Sequence, residues 1–178
     1  MDRNIRDITV TGLFAAVICV AAPWSVNIGP VPISLATFAV YLAGAVLGWR
    51  RGTAAVAVYL VIGALGLPVF SNFSGGLQKL AGVTGGYLVG YIFAAMLTGL
   101  FADRWEKLWA YAVGMLSGTV LLYAFGTAWF SFTTKNPVSY SLGVCVLPFL
   151  PGDVLKIAAA SVLAVRLRPL ARERLIKA

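Results

Sequence analysis

Six mostly apolar runs constrain the fold of this chain more than any other feature of its sequence. A helix that crosses a bilayer needs about 20 mostly apolar residues, and these runs come close to that length. The chain of 178 residues is 60% hydrophobic and only 11% charged, which is too apolar for a soluble domain of this size. Lipid cannot satisfy the edges of an open sheet, and the runs lack the alternation of a β-barrel. The sequence therefore predicts one all-α integral membrane domain over 1–178, with six transmembrane helices at about 8–24, 32–48, 52–70, 84–102, 107–130 and 147–166.

The distribution of lysine and arginine predicts the orientation of these helices. Basic residues are enriched in cytoplasmic loops, and a cytoplasmic N-terminus puts 11 of the 14 basic residues on that side. Both termini are then cytoplasmic, and the net charge of +8 reflects membrane topology and not nucleic-acid binding. A specific contact with membrane lipid or with a protein is the alternative explanation for the basic C-terminal tail. The residues assigned to the cytoplasm are Arg3, Arg6, Arg50, Arg51, Arg104, Lys107, Arg166, Arg168, Arg172, Arg174 and Lys177.

The stretch LPFLPGDVLKIAAA opens the sixth segment with an acid and a base three residues apart. An ionisable residue inside a membrane segment costs about 2.5–3.5 kcal/mol on insertion scales and suggests a function. Pro148 and Pro151 place Asp153 in the first helical turn, where the helix dipole stabilises its charge, and Lys156 follows on the same face. One interpretation is a salt bridge that only caps the helix. The other is a polar clamp at the mouth of a pocket, whose carboxylate accepts paired N–H groups from a urea-like or amide ligand.

The predicted outer connections are longer and richer in glycine than the inner ones, and SNFSGGLQKLAGVTGG is an example. Such loops in compact domains tend to bind ligands or to cover a site. A loop that folds over a small ligand and an ordinary flexible connection both remain open at this point. Gly86 has a second interpretation, because Gly86-x-x-x-Gly90 is typical of close helix packing. The candidate binding residues in this region and at the outer end of the first helix are Asn72, Ser74, Gln78, Thr84, Gly86, Tyr87 and Trp24.

Small residues form a stripe on the first helix, at Gly12, Ala15, Ala16 and Cys19. Such a stripe lets another helix approach closely, and that helix can belong to this chain or to another protein. Aromatic residues near the ends of the segments, Tyr59 and Tyr123 among them, are expected to anchor the protein at the membrane interface.

The remaining inventory of residues disfavours an enzyme. Histidine is absent and one carboxylate lies within the apolar segments, so metal catalysis and acid–base pairs lack their groups. No metal and no cofactor are therefore expected. The sequence also has no ATP-binding motif, so any ATP-driven uptake would need another protein.

Four stretches together resemble the BioY family, the biotin-binding S components of energy-coupling factor (ECF) transporters. They are GPVPISLATFAVYLAGAVLG, RGTAAVAVYLVIGALGLPVF, SGGLQKLAGVTGGYLVGY and LPFLPGDVLKIAAASVLA, and the resemblance extends to about Leu167. The combination of GGY with PFLPGDVLK is specific. The family usually carries glutamine where this chain has Ala36, so a polar ligand contact from that position is not expected.

The resemblance implies an S-component bundle in the plasma membrane, with one biotin pocket near the outer face under the connection between helices three and four. It implies that the region of Asp153 holds the ureido ring, that Lys156 completes an acidic–basic pair, and that Asn72 lies near the ligand's tail. It also implies a transmembrane coupling subunit and two cytoplasmic ATPase subunits as partners, with the stripe on the first helix as the docking surface.

The leading hypothesis is high-affinity capture of biotin at the extracellular face for uptake powered by those partners. The alternatives are an S component for another small vitamin, an intramembrane enzyme or lipid-modifying protein, and a purely structural membrane protein.

Overall fold

The computed structural model describes residues 3–27 and 30–173, and most of them form helices. Two short helices and a two-stranded antiparallel sheet lie between the longer helices, in connections that the sequence predicted as loops. In chain order the elements are α1 (Arg3–Ala21), β1 (Ser25–Val26), β2 (Ile33–Ser34), α2 (Ala36–Leu47), α3 (Trp49–Ala64), α4 (Leu77–Ala81), α5 (Gly85–Trp105), α6 (Leu108–Thr134), α7 (Val138–Cys145) and α8 (Leu150–Leu170).

Each of the six predicted segments contains one long helix, of 12 to 27 residues. By length and apolar composition α5 and α6 can each cross a membrane, and α7 with α8 passes the same test as one span with a bend of 54°. Helix α2 is apolar but has only 12 residues. Six transmembrane helices and the orientation of the termini therefore stay predictions, and Arg174 and Lys177 lie outside the described residues.

Helix α2 is the centre of the bundle, and ten of its 12 residues are buried. It packs against α3, α5 and α8. A side chain at Gly44 would overlap the backbone of Ala95 in α5, and one at Gly52 in α3 would overlap the backbone of Ala43 and Gly44. Small residues therefore allow three helix backbones to approach closely, as is common in membrane bundles.

The helix ends form two groups with different chemistry. One group, the basic end, comprises the starts of α1 and α3, the α2–α3 and α5–α6 turns and the end of α8. There Arg51 contacts Asp7 at 2.7 Å and Arg168 contacts Asp103 at 2.6 Å. The other group, the loop end, carries β1, β2, α4 and α7. The sequence assigned Arg168 to the cytoplasmic side, and within the bundle this residue is 2% exposed.

The third helix is shorter than predicted because hydropathy continues past the point where the chain turns. It ends at Ala64, and Gly66 then adopts a φ of 103° that favours glycine. Phe70 folds back onto Tyr59, with ring centroids 5.4 Å apart. Tyr59 is buried in this contact, so its prediction as an interface anchor was wrong.

Candidate ligand-binding site

Polar and aromatic side chains from α2, α5, α6 and α8 surround a small cavity at the loop end. Its free volume is about 30 Å³, enough for about one water molecule, whereas ligand pockets usually hold about 300–1,000 Å³. The pocket is therefore closed in this conformation, and a vitamin-sized ligand needs it to widen. The lining residues are Val31, Pro32, Ser34, Thr37, Tyr87, Tyr91, Leu122, Tyr123, Phe149, Asp153 and Lys156.

Asp153 lies in the first turn of α8, as the sequence predicted, and is 3% exposed. Pro151 fits the start of the helix, where the missing N–H has no partner to lose. The N–H of Asp153 donates to the carbonyl of Phe149 at 2.8 Å. Its carboxylate accepts one bond from the Tyr123 hydroxyl at 2.5 Å and another from the Lys156 ammonium at 3.0 Å. An ionised carboxylate has about four acceptor positions, so this group can accept further N–H donors.

Lys156 connects α8 to the start of α2. Its ammonium group lies 3.0 Å from Asp153 and also donates to the Thr37 hydroxyl at 3.0 Å. The Asp153 and Lys156 side chains are 5% and 12% exposed, so the charges neutralise each other where isolated charges would be costly. The ammonium has three donors, and the third is available to a ligand.

Aromatic side chains supply the apolar walls of the cavity. The Tyr87 hydroxyl donates to the carbonyl of Cys145 at 3.4 Å, and its ring packs so closely on Gly126 that an added methyl group there would overlap it. Tyr91 follows Tyr87 by four residues and lies on the same face of α5. Ser34, which also lines the cavity, accepts the N–H of Ala36, the first residue of α2, at 3.1 Å.

Several predicted binding residues lie above the cavity in the loops and do not line it. Asn72 has a φ of 61°, donates to Asn27 at 2.8 Å and accepts from Ser25 at 2.9 Å. It therefore ties the α3–α4 connection to the β1 segment. Trp24 is exposed and contacts Phe73 edge to face.

The other predicted loop residues have local roles. Ser74 donates to the carbonyl of Ser71 at 2.7 Å, and Gln78 is exposed on α4. Thr84 is buried just before α5. A side chain at Gly86 would overlap Trp129 of α6, so the structure places Gly86 in a close helix contact and not on the cavity wall.

The predicted docking stripe on α1 divides between two faces of that helix. Gly12 and Ala16 are exposed, and an added Cβ at Gly12 would meet no atom within 4 Å. Ala15 is 1% exposed and Cys19 packs against the core. Ala15 is therefore not available as a docking residue in this conformation, because a helix turns about 100° per residue and neighbouring positions face different ways.

Sequence reasoning missed four polar contributors to the cavity: Ser34, Thr37, Tyr91 and Tyr123. Tyr123 was predicted as an interface anchor, and that was wrong, because its hydroxyl binds Asp153 inside the bundle. One available signal was the pair Tyr87 and Tyr91, since residues four apart on a helix share a face. A second available signal was Thr37, because its hydroxyl group lies in the first turn of an otherwise apolar helix.

The helical fold and the buried ion pair beneath covering loops define a class: a membrane protein that holds a small ligand at one end of a helix bundle. The chain belongs to the BioY family, whose model matches residues 1–173. It is 41% identical over 170 residues to the "Biotin transporter BioY" of Thermotoga maritima, covering 96% of this chain and all of the relative. It is 37% identical to the "Probable biotin transporter BioY" of Pyrococcus horikoshii, covering 92% of this chain and 96% of the relative.

A solved structure has the same fold. It is the crystal structure of the S-component for biotin from an ECF-type ABC transporter, and it superposes with a TM-score of 0.84 over 95% of both chains at 28% identity. The predicted resemblance to BioY is therefore confirmed, and so is the S-component-like bundle. The protein is a multi-pass membrane protein, as its apolar helices and its family both indicate.

Proposed function

We propose that this protein binds biotin in the Asp153 pocket and is the S component of an ECF-type importer. The observation that carries the proposal is the buried Asp153–Lys156 pair, which faces a cavity with aromatic walls. The relatives named above are biotin transporters and the solved neighbour is an S-component for biotin. These names support transport of biotin in preference to catalysis or a purely structural role.

The chemistry of the pocket suits the two halves of biotin's ring system. The ureido group presents two N–H donors and one carbonyl acceptor, and Asp153 has acceptor positions that Tyr123 and Lys156 do not fill. A charged hydrogen bond of this kind contributes about 1.5–3 kcal/mol. Lys156 lies 3.0 Å from Asp153, so its positive charge offsets the negative charge of the carboxylate within the buried site. The rings of Tyr87 and Phe149 provide apolar surface for the sulfur-containing ring.

The same proposal assigns the loop end to the extracellular side. The basic end is then cytoplasmic, in agreement with the enrichment of Lys and Arg in cytoplasmic loops. A transmembrane coupling subunit and two cytoplasmic ATPases drive the uptake of biotin. The face of α1 that exposes Gly12 and Ala16 docks against the coupling subunit. Asn72 and the α4 connection act as the cover of the pocket, and the bonds of Asn72 to Ser25 and Asn27 hold two connections of the loop end together.

A titration of the purified protein with biotin, followed by calorimetry, tests the proposal. Asp153→Asn is expected to weaken binding at least tenfold, the equivalent of about 1.5 kcal/mol. Asp7→Asn is the matched control, because it makes the same change in a partly exposed ion pair at the basic end. Absence of any biotin-dependent heat in the parent protein would sink the proposal. Displacement of biotin by thiamin or riboflavin would point to an S component for another vitamin.

A further inference from the structure

Three acids at the basic end already have arginine partners. Arg51 binds Asp7 at 2.7 Å and Arg168 binds Asp103 at 2.6 Å. Arg172 likewise contacts Glu106. Each of these three carboxylates therefore already faces a guanidinium group.

Arg50 and Arg104 are two of those remaining arginines. Both are exposed, and neither has a carboxylate oxygen within 4.0 Å among residues 3–27 and 30–173. Each guanidinium group lies over a tryptophan ring instead, at 5.1 Å from the centroid for Arg50 over Trp49 and 5.7 Å for Arg104 over Trp105. A cation over the face of an indole is held there by the ring's quadrupole, so both guanidinium groups are oriented without being neutralised.

The two arginine–tryptophan pairs belong to one surface. The N–H of Trp49 donates to the Asp103 carboxylate at 3.0 Å, and these two residues immediately precede Arg50 and Arg104 in the chain. The start of α3 also lies against α5 closely enough that a side chain at Gly99 would overlap the Trp49 backbone. The start of α3 and the end of α5 are therefore in contact, and each of these adjoining helix ends carries one exposed arginine.

The level of this surface in the membrane indicates what it meets. Trp105 ends α5 and Trp109 lies in the first turn of α6, and these are the two helices that are each long and apolar enough to cross a membrane. Their adjoining ends therefore lie near the lipid headgroups, where tryptophan is enriched. Leu100 and Leu108 are exposed on the same two helices and suit acyl chains better than they suit a soluble acidic partner.

We propose that Trp49, Arg50, Arg104 and Trp105 form a binding site for the phosphate of an anionic phospholipid. Guanidinium groups bind phosphate oxygens in a bidentate manner, and the indole rings and flanking leucines contact the glycerol and acyl region. Because neither arginine has a carboxylate oxygen within 4.0 Å in the part of the chain that the structure describes, the site prefers a lipid with net negative charge over a zwitterionic lipid that carries the same phosphate. The site is independent of the biotin pocket at the opposite end of the bundle.

Native mass spectrometry of the full chain in detergent tests the proposal, with phosphatidylglycerol and phosphatidylcholine as the two titrants. The parent protein is expected to bind phosphatidylglycerol at least tenfold more tightly. Arg50→Gln and Arg104→Gln are each expected to weaken that binding about fivefold, which corresponds to the roughly 1 kcal/mol that one basic residue gains near an anionic surface. Arg51→Gln is the matched control, since it removes the neighbouring charge that Asp7 already neutralises, and it is expected to change the binding less than twofold.

Four outcomes would overturn the proposal. The parent protein could show equal affinity for the two lipids, or Arg51→Gln could weaken binding as much as Arg50→Gln, which would indicate a general effect of net charge. Competition by millimolar glycerol phosphate would indicate a site for a soluble phosphate. If instead both variants bound phosphatidylglycerol normally but failed to assemble with ATPase and coupling subunits, the surface would be a protein interface.

Discussion

Asp103→Asn is expected to destabilise the protein by stranding a buried positive charge. Arg168 comes from the end of α8 and is 2% exposed. It donates to the carbonyl of Ala45 at the end of α2 and to Asp103 of α5 at 2.6 Å. Glu106 is 3.8 Å away. The substitution removes the nearest negative charge while keeping an oxygen that can accept the N–H of Trp49.

The size of the effect follows from the burial of the two partners. Breaking a fully buried ion pair costs about 3–5 kcal/mol, whereas an exposed pair contributes about 0–1 kcal/mol. The Arg168 side chain is 3% exposed but that of Asp103 is 36% exposed, and Glu106 supplies part of the lost charge. We therefore expect a loss of about 2 kcal/mol, between the two limits. Asp7→Asn breaks a pair whose two side chains are 25% and 34% exposed, and we expect at most about 1 kcal/mol there.

Thermal unfolding in detergent, followed by tryptophan fluorescence, measures the difference. For a chain of this size about 1 kcal/mol shifts Tm by roughly 2–4 °C, so Asp103→Asn is expected to lower Tm by about 4–8 °C. Adding Arg168→Met to Asp103→Asn is expected to recover part of the loss, because the stranded charge is then gone. Equal shifts for Asp103→Asn and Asp7→Asn, or a double variant less stable than Asp103→Asn alone, would refute the reasoning.

Three further substitutions test the loop end. Asn72→Ala is expected to speed release of biotin, because it removes two side-chain bonds between loops. It also places alanine at a φ of 61°, which costs about 1–2 kcal/mol. Stopped-flow measurements give the release rate, and Asn72→Gly should recover part of the effect because glycine relieves only the backbone cost. Gly126→Ala is expected to weaken biotin binding several-fold, because the added methyl group overlaps the Tyr87 ring. Gly143→Ala is the control and should leave the affinity unchanged, because no atom lies within 4 Å of the added carbon. Calorimetry measures the affinity of both variants for biotin. Thr37→Val removes an acceptor of the pocket ammonium group and is expected to lower affinity by about 1–3 kcal/mol, while Thr37→Ser should retain it.

The sequence predicted those features whose residues would be energetically costly in a membrane unless they had a structural or functional role. Asp153 stands out because an acid in an apolar segment is expensive, and two nearby prolines fix its place in the first helical turn. The six helices stand out because a membrane segment needs about 20 apolar residues. The structure confirms the turn that holds Asp153, and it has a long helix that overlaps each predicted segment.

The parts that sequence missed depend on which way a helix faces. Helices α5, α6 and α8 are apolar on nearly all sides, so no periodic pattern separates the face toward lipid from the face toward the bundle. Tyr123 in α6 therefore looked like an interface anchor, although it binds Asp153. Tyr59 in α3 was also assigned to the interface, although it packs on Phe70. The same ambiguity affected the stripe on α1, where Ala15 faces the core and Ala16 does not.

Two buried ion pairs at opposite ends of α8 together limit how the pocket can open. Lys156 joins α8 to Thr37 at the start of α2, and Arg168 joins it to Ala45 near the end of α2. Helix α2 is itself enclosed by its neighbours. Because α8 is attached to this central helix at both ends, sliding α8 would break buried charged contacts at each of them. The widening that a ligand needs therefore has to come from elements outside this attachment, which are the β1–β2 hairpin, the α4 connection and α7, together with the Tyr123 side chain.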